Sequence, residues 1–545
     1  MGLISDASTE AVDNRSRSPP PQAGRGFRFW GIFAALCLLA FISALDVAII
    51  TTSLPTVTTD IGGATEYIWI AGSFVVASSV VQPLFGQLAD LVGRRDPFVA
   101  ATVLFTIGSG IAGGANNVAM LIAGRSLQGV GAGGIYLLLS IVCSDLVPLR
   151  ERGKFLGLMN AWAGVAAALG PVVGGAIAQE NWRWIFYLNL PICGVALVML
   201  CTFMTMKTGA PSSSQSKWGV PRLDWAGNAV FIPSMIALLF GLVMGGVQYP
   251  WSSWRIILPL VLGGVGWLAF HAQQYVTANP SIPPRLFNNR TSATGYVLTF
   301  LSSFLLQMQC YFLPVYFQAS LGTDILDSGT NFLPFAMGTL AFAAVSGLLL
   351  SRLGAYRPIH AAAFAISALG FGLFTLLDSE TPRVAWVFYE LIASAGSGLT
   401  LSVFLPAILA GLPESDVASA SAAFTFMRTF GYVWGVTVPS VIFNAVVDSN
   451  LYLISSSDLQ NLLRGGGAYG FASQMHLVRD IVPGEVLSEL IILYTKSLRV
   501  IWWVGLGISL LSFFAVGLER GLELRRTLDT EYGLDEGAET TKNDG

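Results

Sequence analysis

Apolar residues in this chain run in long, nearly uninterrupted stretches, without the stripe of a water-facing helix or the alternation of a half-buried strand. A helix needs about 20 apolar residues to cross the hydrocarbon of a bilayer. Fourteen stretches qualify: residues 29–52, 68–88, 98–115, 118–142, 155–178, 185–206, 225–247, 256–276, 294–319, 328–350, 359–377, 384–411, 417–446 and 500–518. The pattern predicts an all-α integral membrane protein of fourteen transmembrane helices.

Short loops set its orientation, because cytoplasmic loops accumulate Lys and Arg. The loops after the second, fourth, sixth, eighth and tenth stretches carry twelve basic residues, from Arg94 and Arg95 to Arg352 and Arg357, whereas the opposing short loops carry only Arg183, Arg255 and Arg383. Both termini are therefore expected in the cytoplasm. Residues 1–28, rich in Ser, Pro and Arg, read as a disordered cytoplasmic tail, and 519–545 as a second cytoplasmic tail. The first apolar run is too long for a signal peptide, and Asp6 stands where a myristoylation motif needs Ser or Thr. Residues 447–499 form a long outer loop whose segment 486–493 reads as an interfacial helix. Asn14 and Asn289, the two glycosylation sequons, fall on the cytoplasmic side.

A weak internal copy exists at an offset of 261 residues: Gly86, Gly93 and Pro97 recur as Gly347, Gly354 and Pro358, and Gly170 and Gly174 as Gly431 and Gly435. The copy predicts two six-helix halves, 29–206 and 294–518, related by a pseudo-two-fold, with an inserted helix pair at 224–276 between the linkers 207–223 and 277–293.

Composition agrees: 54% of residues are hydrophobic and 11% charged, against roughly 25% charged in soluble chains. The net charge of −3 points to neither nucleic acid nor an anionic surface as partner. The five cysteines form no C-x-x-C pair, so neither a disulfide framework nor a metal site is implied. The run from Gly129 to Gly134 follows no strand and reads as helix packing rather than a nucleotide loop. No nucleophile and base set suggests an enzyme, and no cofactor is expected.

Function is then sought in the few charges inside the spans, which cost roughly 2.5–3.5 kcal/mol each on insertion scales. Asp46 and Arg125 each lie about seven residues from the outer end of their spans, roughly 10 Å deep at the helical rise, so they can meet. Such a pair either switches proton affinity when its members separate or statically fixes helix packing. Glu390 and Arg428 are the remaining buried charges. Glu390 is a second protonation site, a cavity group favouring cations, or a structural partner of Arg428. Gln307 sits at the duplicate position of Asp46 and, with Gln309 and Tyr311, is a candidate cavity residue of which one helical face can point inward. His271 and His360 read as interfacial residues.

Gly86-Gln87-Leu88-Ala89-Asp90-Leu91-Val92-Gly93-Arg94-Arg95 follows the second span. Gly86 permits close helix approach, Gly93 a tight turn, and Asp90 can pair with the arginines or a helix N-terminus, making a conformational clasp. With the repeat and the span count, this stretch resembles the loop signature of the major facilitator superfamily, although Leu91 replaces its usual basic residue. Leu45-Asp46 through Leu54-Pro55, Arg125 through Gln128-Gly129 and Gly131, and Gly164 through Gly170-Pro171 and Gly174-Gly175 resemble the first-, fourth- and fifth-helix motifs of its fourteen-span drug:proton antiporters. The segment from Asn181 to Pro191 is similar as well.

The resemblance implies a fungal multidrug or secondary-metabolite efflux pump working by proton antiport, with the proton gradient as its energy source. Asp46, Arg125 and Glu390 are then the proton-coupling residues, and Gly170, Pro171, Gly174 and Gly175 the antiporter kink. Gln128, Gln307, Tyr311 and Arg428 line the cavity. The partners implied are a medium-sized, largely apolar organic substrate, protons and the lipid bilayer, around a monomer. The location implied is the plasma membrane, with a vacuolar or vesicle membrane as the alternative. A siderophore or nutrient permease of the same fold and a non-transporting membrane sensor remain alternatives.

A cysteine introduced at Ser213, in a variant without native cysteines, is expected to resist an impermeant maleimide in intact cells and to react after permeabilisation. Labelling of intact cells would overturn the orientation.

Overall fold

In the computed structural model, residues 26–61, 67–205, 223–246, 248–479 and 481–525 are described. The calls on the first tail up to residue 25, on the linker 207–222 and on the second tail beyond 525 lie outside the described residues, as do the side chains of Pro171 and Gly175.

The architecture is helical, with a single isolated bridge between Gly245 and Tyr249 among the described residues. The N-terminal helices are α1 (Phe27–Ile61), α2 (Tyr67–Val80), α3 (Gln82–Val92), α4 (Arg95–Gly113), α5 (Val118–Leu146), α6 (Leu149–Asn181), α7 (Trp184–Tyr187) and α8 (Asn189–Phe203). A pair follows, α9 (Trp225–Met244) and α10 (Trp254–Gln274). The C-terminal helices begin with α11 (Arg290–Val315), α12 (Ile325–Asn331), α13 (Leu333–Leu353), α14 (Arg357–Phe374), α15 (Arg383–Leu401), α16 (Phe404–Leu409) and α17 (Val417–Asn450). Short helices α18 (Ser457–Leu463), α19 (Gly467–Phe471) and α20 (Met475–Val478) lead to α21 (Gly484–Ala515). Among the described residues twelve helices are long and apolar enough to cross a bilayer, or thirteen if the pair bent by 41° at Val81 counts as one span. The 33-residue α6 stands outside that count.

Packing follows the sequence copy. α1 packs on α6, α2 on α5, α4 on α5 and α8; correspondingly α11 packs on α17, α13 on α15, α14 on α15 and α21. A Cβ at Gly170 would press into Ala48 of α1, and one at Gly431 would lie 2.8 Å from the Ser303 Cβ of α11, so both glycines serve the same helix contact. Between the two groups the contacts are reciprocal. Gly86 of α3 abuts Ala422 of α17, where a Cβ would fall 2.9 Å from the alanine Cβ, and Gly347 of α13 abuts Gly153 of α6, where one would fall 2.6 Å from the carbonyl carbon. Small residues let backbones approach this closely in a membrane, where dispersion replaces the hydrophobic drive. Gly93 and Gly354, which end α3 and α13, both have positive φ, 95° and 66°, a conformation that a Cβ penalises.

These crossings lie at the end of the bundle that carries the basic loops. There Arg150 donates to the Ser351 and Arg352 carbonyls at 2.8 and 2.7 Å, satisfying the open C-terminus of α13 from the N-terminal helices. Arg152 faces Glu414 at 3.4 Å. Arg285 donates Nε and Nη2 to Asp416, 2.8 Å at the shortest, and these hydrogen bonds raise its pKa above the ordinary arginine value. The glycines of α5 serve both its sides: a Cβ at Gly131 would lie 2.7 Å from the Phe105 Cα of α4, and one at Gly133 2.8 Å from Val81 beside α2.

Three extents differ from the sequence reading. α21 begins at Gly484, so 486–493 is the first part of a long helix rather than an interfacial one. α17 continues to Asn450, which shortens the outer segment from the 447–499 expected. His360 is fully buried rather than interfacial, because residues after α21 fold back and place Glu519 3.0 Å from its Nδ1. That segment continues across the bundle, with the Tyr356 hydroxyl donating to the Arg520 carbonyl and the Arg150 N–H to the Arg525 carbonyl.

Gly131→Leu is expected to overpack the α4–α5 contact and to destabilise the fold by about 1–3 kcal/mol, seen as a lower unfolding temperature in detergent. An unchanged temperature would mean that the two helices can separate without cost.

Candidate functional site

α1 and α5 carry Asp46 and Arg125 to the same depth, and the two side chains meet. Arg125 Nη1 is 2.6 Å from Asp46 Oδ2 and 2.7 Å from Gln128 Oε1. Gln128 returns an N–H to Asp46 Oδ1 at 2.7 Å and another to Ser109 Oγ of α4 at 2.8 Å. Asn189, at the first position of α8, donates to Asp46 Oδ1 at 2.8 Å and to Ser109 at 3.2 Å. Asp46 and Arg125 are each 1% exposed and Gln128, Asn189 and Ser109 not at all, so every polar bond here forms away from water, where leaving it unmade is costly. The guanidinium also lies 4.4 Å from the Phe74 ring centroid, a cation–π contact. Arg125 Nε and Asn189 Oδ1 are buried with no hydrogen-bond partner among the described residues.

Gln128 therefore belongs to the charge network, because i and i+3 share a helix face and Arg125 draws it inward. Asn189 and Ser109 escaped the sequence reading. Their signal was present: Asn189 opens the Asn-Leu-Pro run and Ser109 sits two turns inside an apolar span.

Tyr136, one face further along α5, donates to the Ser43 carbonyl at 3.2 Å. The ionisable groups around it are Asp46 and Arg125 on one side and Arg428 and Tyr432 on the other. On α17 Arg428 Nε donates to the Tyr432 hydroxyl at 2.8 Å. Of the three alternatives for Glu390, the structural pairing with Arg428 is not the arrangement seen among the described residues. Glu390 is 1% exposed on α15, neither oxygen has a hydrogen-bond partner among the described residues, and the backbone of Phe335 in the first turn of α13 faces it. Gln307 is half-buried with its Cβ against Gly435, Tyr311 on the same face of α11 is 40% exposed, and Gln309 turns away to accept from Ser397 at 3.3 Å.

In the clasp, Arg94 is the centre. It is 3% exposed and bonds Asp90 at 2.9 Å, the Ala89 carbonyl at 2.6 Å and Asp145 of α5 at 2.8 Å. Asp145 was not anticipated, and Arg95 stands apart, donating instead to the Cys201 carbonyl. Gly170 and Gly174 are buried in α6, whose helix runs without a break past position 171. Among the described residues no group of three His, Cys, Asp or Glu side chains could hold a metal ion.

Comparison with known proteins gives a consistent picture. The family described as Major Facilitator Superfamily matches residues 36–436. The MFS efflux transporter aclA of Aspergillus oryzae is 45% identical over 521 residues, covering 94% of this chain and 93% of that protein. The acurin A biosynthesis cluster MFS-type transporter of Aspergillus aculeatus is 38% identical over 533 residues, with 97% and 96% covered. Among solved structures, the human organic anion transporter TETRAN aligns with a TM-score of 0.55 at 16% identity, covering 89% of this chain and 99% of that one, a likeness of fold.

Gln128→Leu is expected to leave Asp46 Oδ1 and Ser109 short of a donor and to destabilise the fold by about 1–3 kcal/mol. A double-mutant cycle with Asn189→Leu should give a coupling of about 0.5–3 kcal/mol; additive effects would mean that the two amides do not act on one carboxylate.

Proposed function

The chain belongs to the major facilitator superfamily, and from that premise we propose that it exports medium-sized, largely apolar fungal secondary metabolites in exchange for protons. Relatives named as efflux carriers match nearly its whole length. Proton exchange rests on one observation, the Asp46–Arg125 pair sealed among α1, α4, α5 and α8. An ionisable carboxyl at this depth can carry a proton between the two sides when the helices around it move and part it from Arg125. Each proton entering contributes about 2.3 kcal/mol per 100 mV plus about 1.4 kcal/mol per pH unit.

In this reading the helices form two six-span halves around a midplane cavity, α9 and α10 are an inserted pair, and α6 is the fourteenth span. The basic end faces the cytoplasm of a cell whose plasma membrane holds the protein as a monomer. The glycine crossings at Gly86 and Gly347 and the Arg94 clasp seal that end, and they part when the halves rock to admit substrate. Glu390, buried with no side-chain partner among the described residues, is the second proton-coupling group.

Asp46→Asn keeps the size of the side chain and removes the exchangeable proton. It is expected to yield folded protein at normal abundance whose export against a gradient falls to the level of cells lacking the carrier. Uphill export at the normal rate by Asp46→Asn would remove Asp46 as the coupling group.

A further inference from the structure

Among the described residues Arg428 faces no anion of its own. Among the described residues Arg94, Arg125, Arg152 and Arg285 each face a carboxylate, and Arg150 donates to main-chain carbonyls. Arg428 is half-buried on α17, has no carboxylate within ion-pair distance among the described residues, and makes its one side-chain hydrogen bond there to a phenol, Tyr432. A guanidinium at membrane depth is costly to keep unless something compensates it.

The nearby carboxylates do not compensate it. Asp46 already spends Oδ2 on Arg125 and Oδ1 on Gln128 and Asn189. Glu390 is unpartnered too, and pairing with Arg428 would lower the cost of both, yet the fold holds Glu390 at the first turn of α13 and Arg428 behind Tyr432. What surrounds Arg428 instead is a cleft with two kinds of wall. Hydroxyls come from Thr299, Ser302, Ser303 and Thr400, and apolar surface from Phe404 and Phe424. The cleft here has room for about one water molecule, so it takes the head of a ligand only as the halves rock and widen it.

We propose that Arg428 anchors the charged head of the exported compound, and that the preferred substrate is an organic acid, a delocalised oxyanion such as a carboxylate or acidic enol on an apolar body. The proposal rests on the exporter reading above and narrows its substrate class. The planar guanidinium matches two oxygens of such a head; Thr299, Ser302 and Thr400 already donate their hydroxyls to main-chain carbonyls, so Ser303 is the hydroxyl left to donate beside it, and the aromatic wall takes the adjoining carbons. In the same scheme Glu390 is kept from Arg428 so that the arginine stays free for the incoming anion.

The test uses the full-length protein in proteoliposomes with three aromatic probes of matched size: pyrenebutyrate, pyrenebutanol and pyrenebutylamine. Wild type is expected to bind the acid about ten-fold more tightly than the alcohol, the low end of what a hydrogen bond to a charged group contributes, and the amine least. In Arg428→Gln the acid should fall to the affinity of the alcohol, and Arg428→Lys, which keeps the charge, should recover part of the preference. Equal binding of acid and alcohol by wild type would overturn the proposal, as would an Arg428→Gln variant that weakens all three alike, since the arginine would then be a packing residue. If an imposed proton gradient expels the alcohol as well as the acid from both wild type and Arg428→Gln, the exporter reading stands and the anion site falls. If the acid binds through Arg428 and no gradient moves any probe, the site stands and the exporter reading falls.

Discussion

Two opposite charges held out of water between α1 and α5 organise this protein. Burying Asp46 and Arg125 separately would cost several kcal/mol per ion, and their attraction repays it only if the remaining lone pairs and protons are also met. Gln128, Asn189 and Ser109 meet most of them, which ties α4 and α8 to the pair. Four spans are thereby registered at one depth by a single ion pair. A purely apolar contact would be cheaper, but it would not respond to a proton.

Such a network can be built only where backbones come close, and glycine supplies the approach. On α5 Gly131 turns to α4 and Gly133 to α2, so the helix that carries Arg125 and Gln128 is clamped on two sides while a third is left for the charges. The same device joins the two groups of helices at the basic end, through Gly86 against α17 and Gly347 against α6. The charged clasp around Arg94 belongs to the first of these crossings alone. At the duplicate position the helix end is met by Arg150 capping carbonyls instead. One copy therefore holds by ion pairs and the other by hydrogen bonds to main chain, so their responses to protonation differ.

The C-terminal helices reverse the logic of the N-terminal ones. There Glu390 and Arg428 are kept apart, with Glu390 lacking a side-chain partner among the described residues and Arg428 on a phenol. The satisfied pair thus sits in the N-terminal helices, and the less satisfied groups sit in the C-terminal ones.

Much was legible in the sequence because it depends on length and composition. The spans, the offset of 261 residues between copies and the meeting of Asp46 with Arg125 follow from apolar run length, unbroken spacing and helical rise, none of which needs a neighbour. Tertiary structure alone decided the rest. Which way Gln128 turns, why Asn189 and Ser109 join it, and why Arg94 rather than Arg95 finds Asp145 are questions of helix rotation. A membrane helix that is apolar on nearly all sides has no stripe from which its rotation can be read. The same reason hid the separation of Glu390 from Arg428. It also hid the burial of His360, whose partner Glu519 arrives from a chain segment 159 positions away that local pattern reads as a tail.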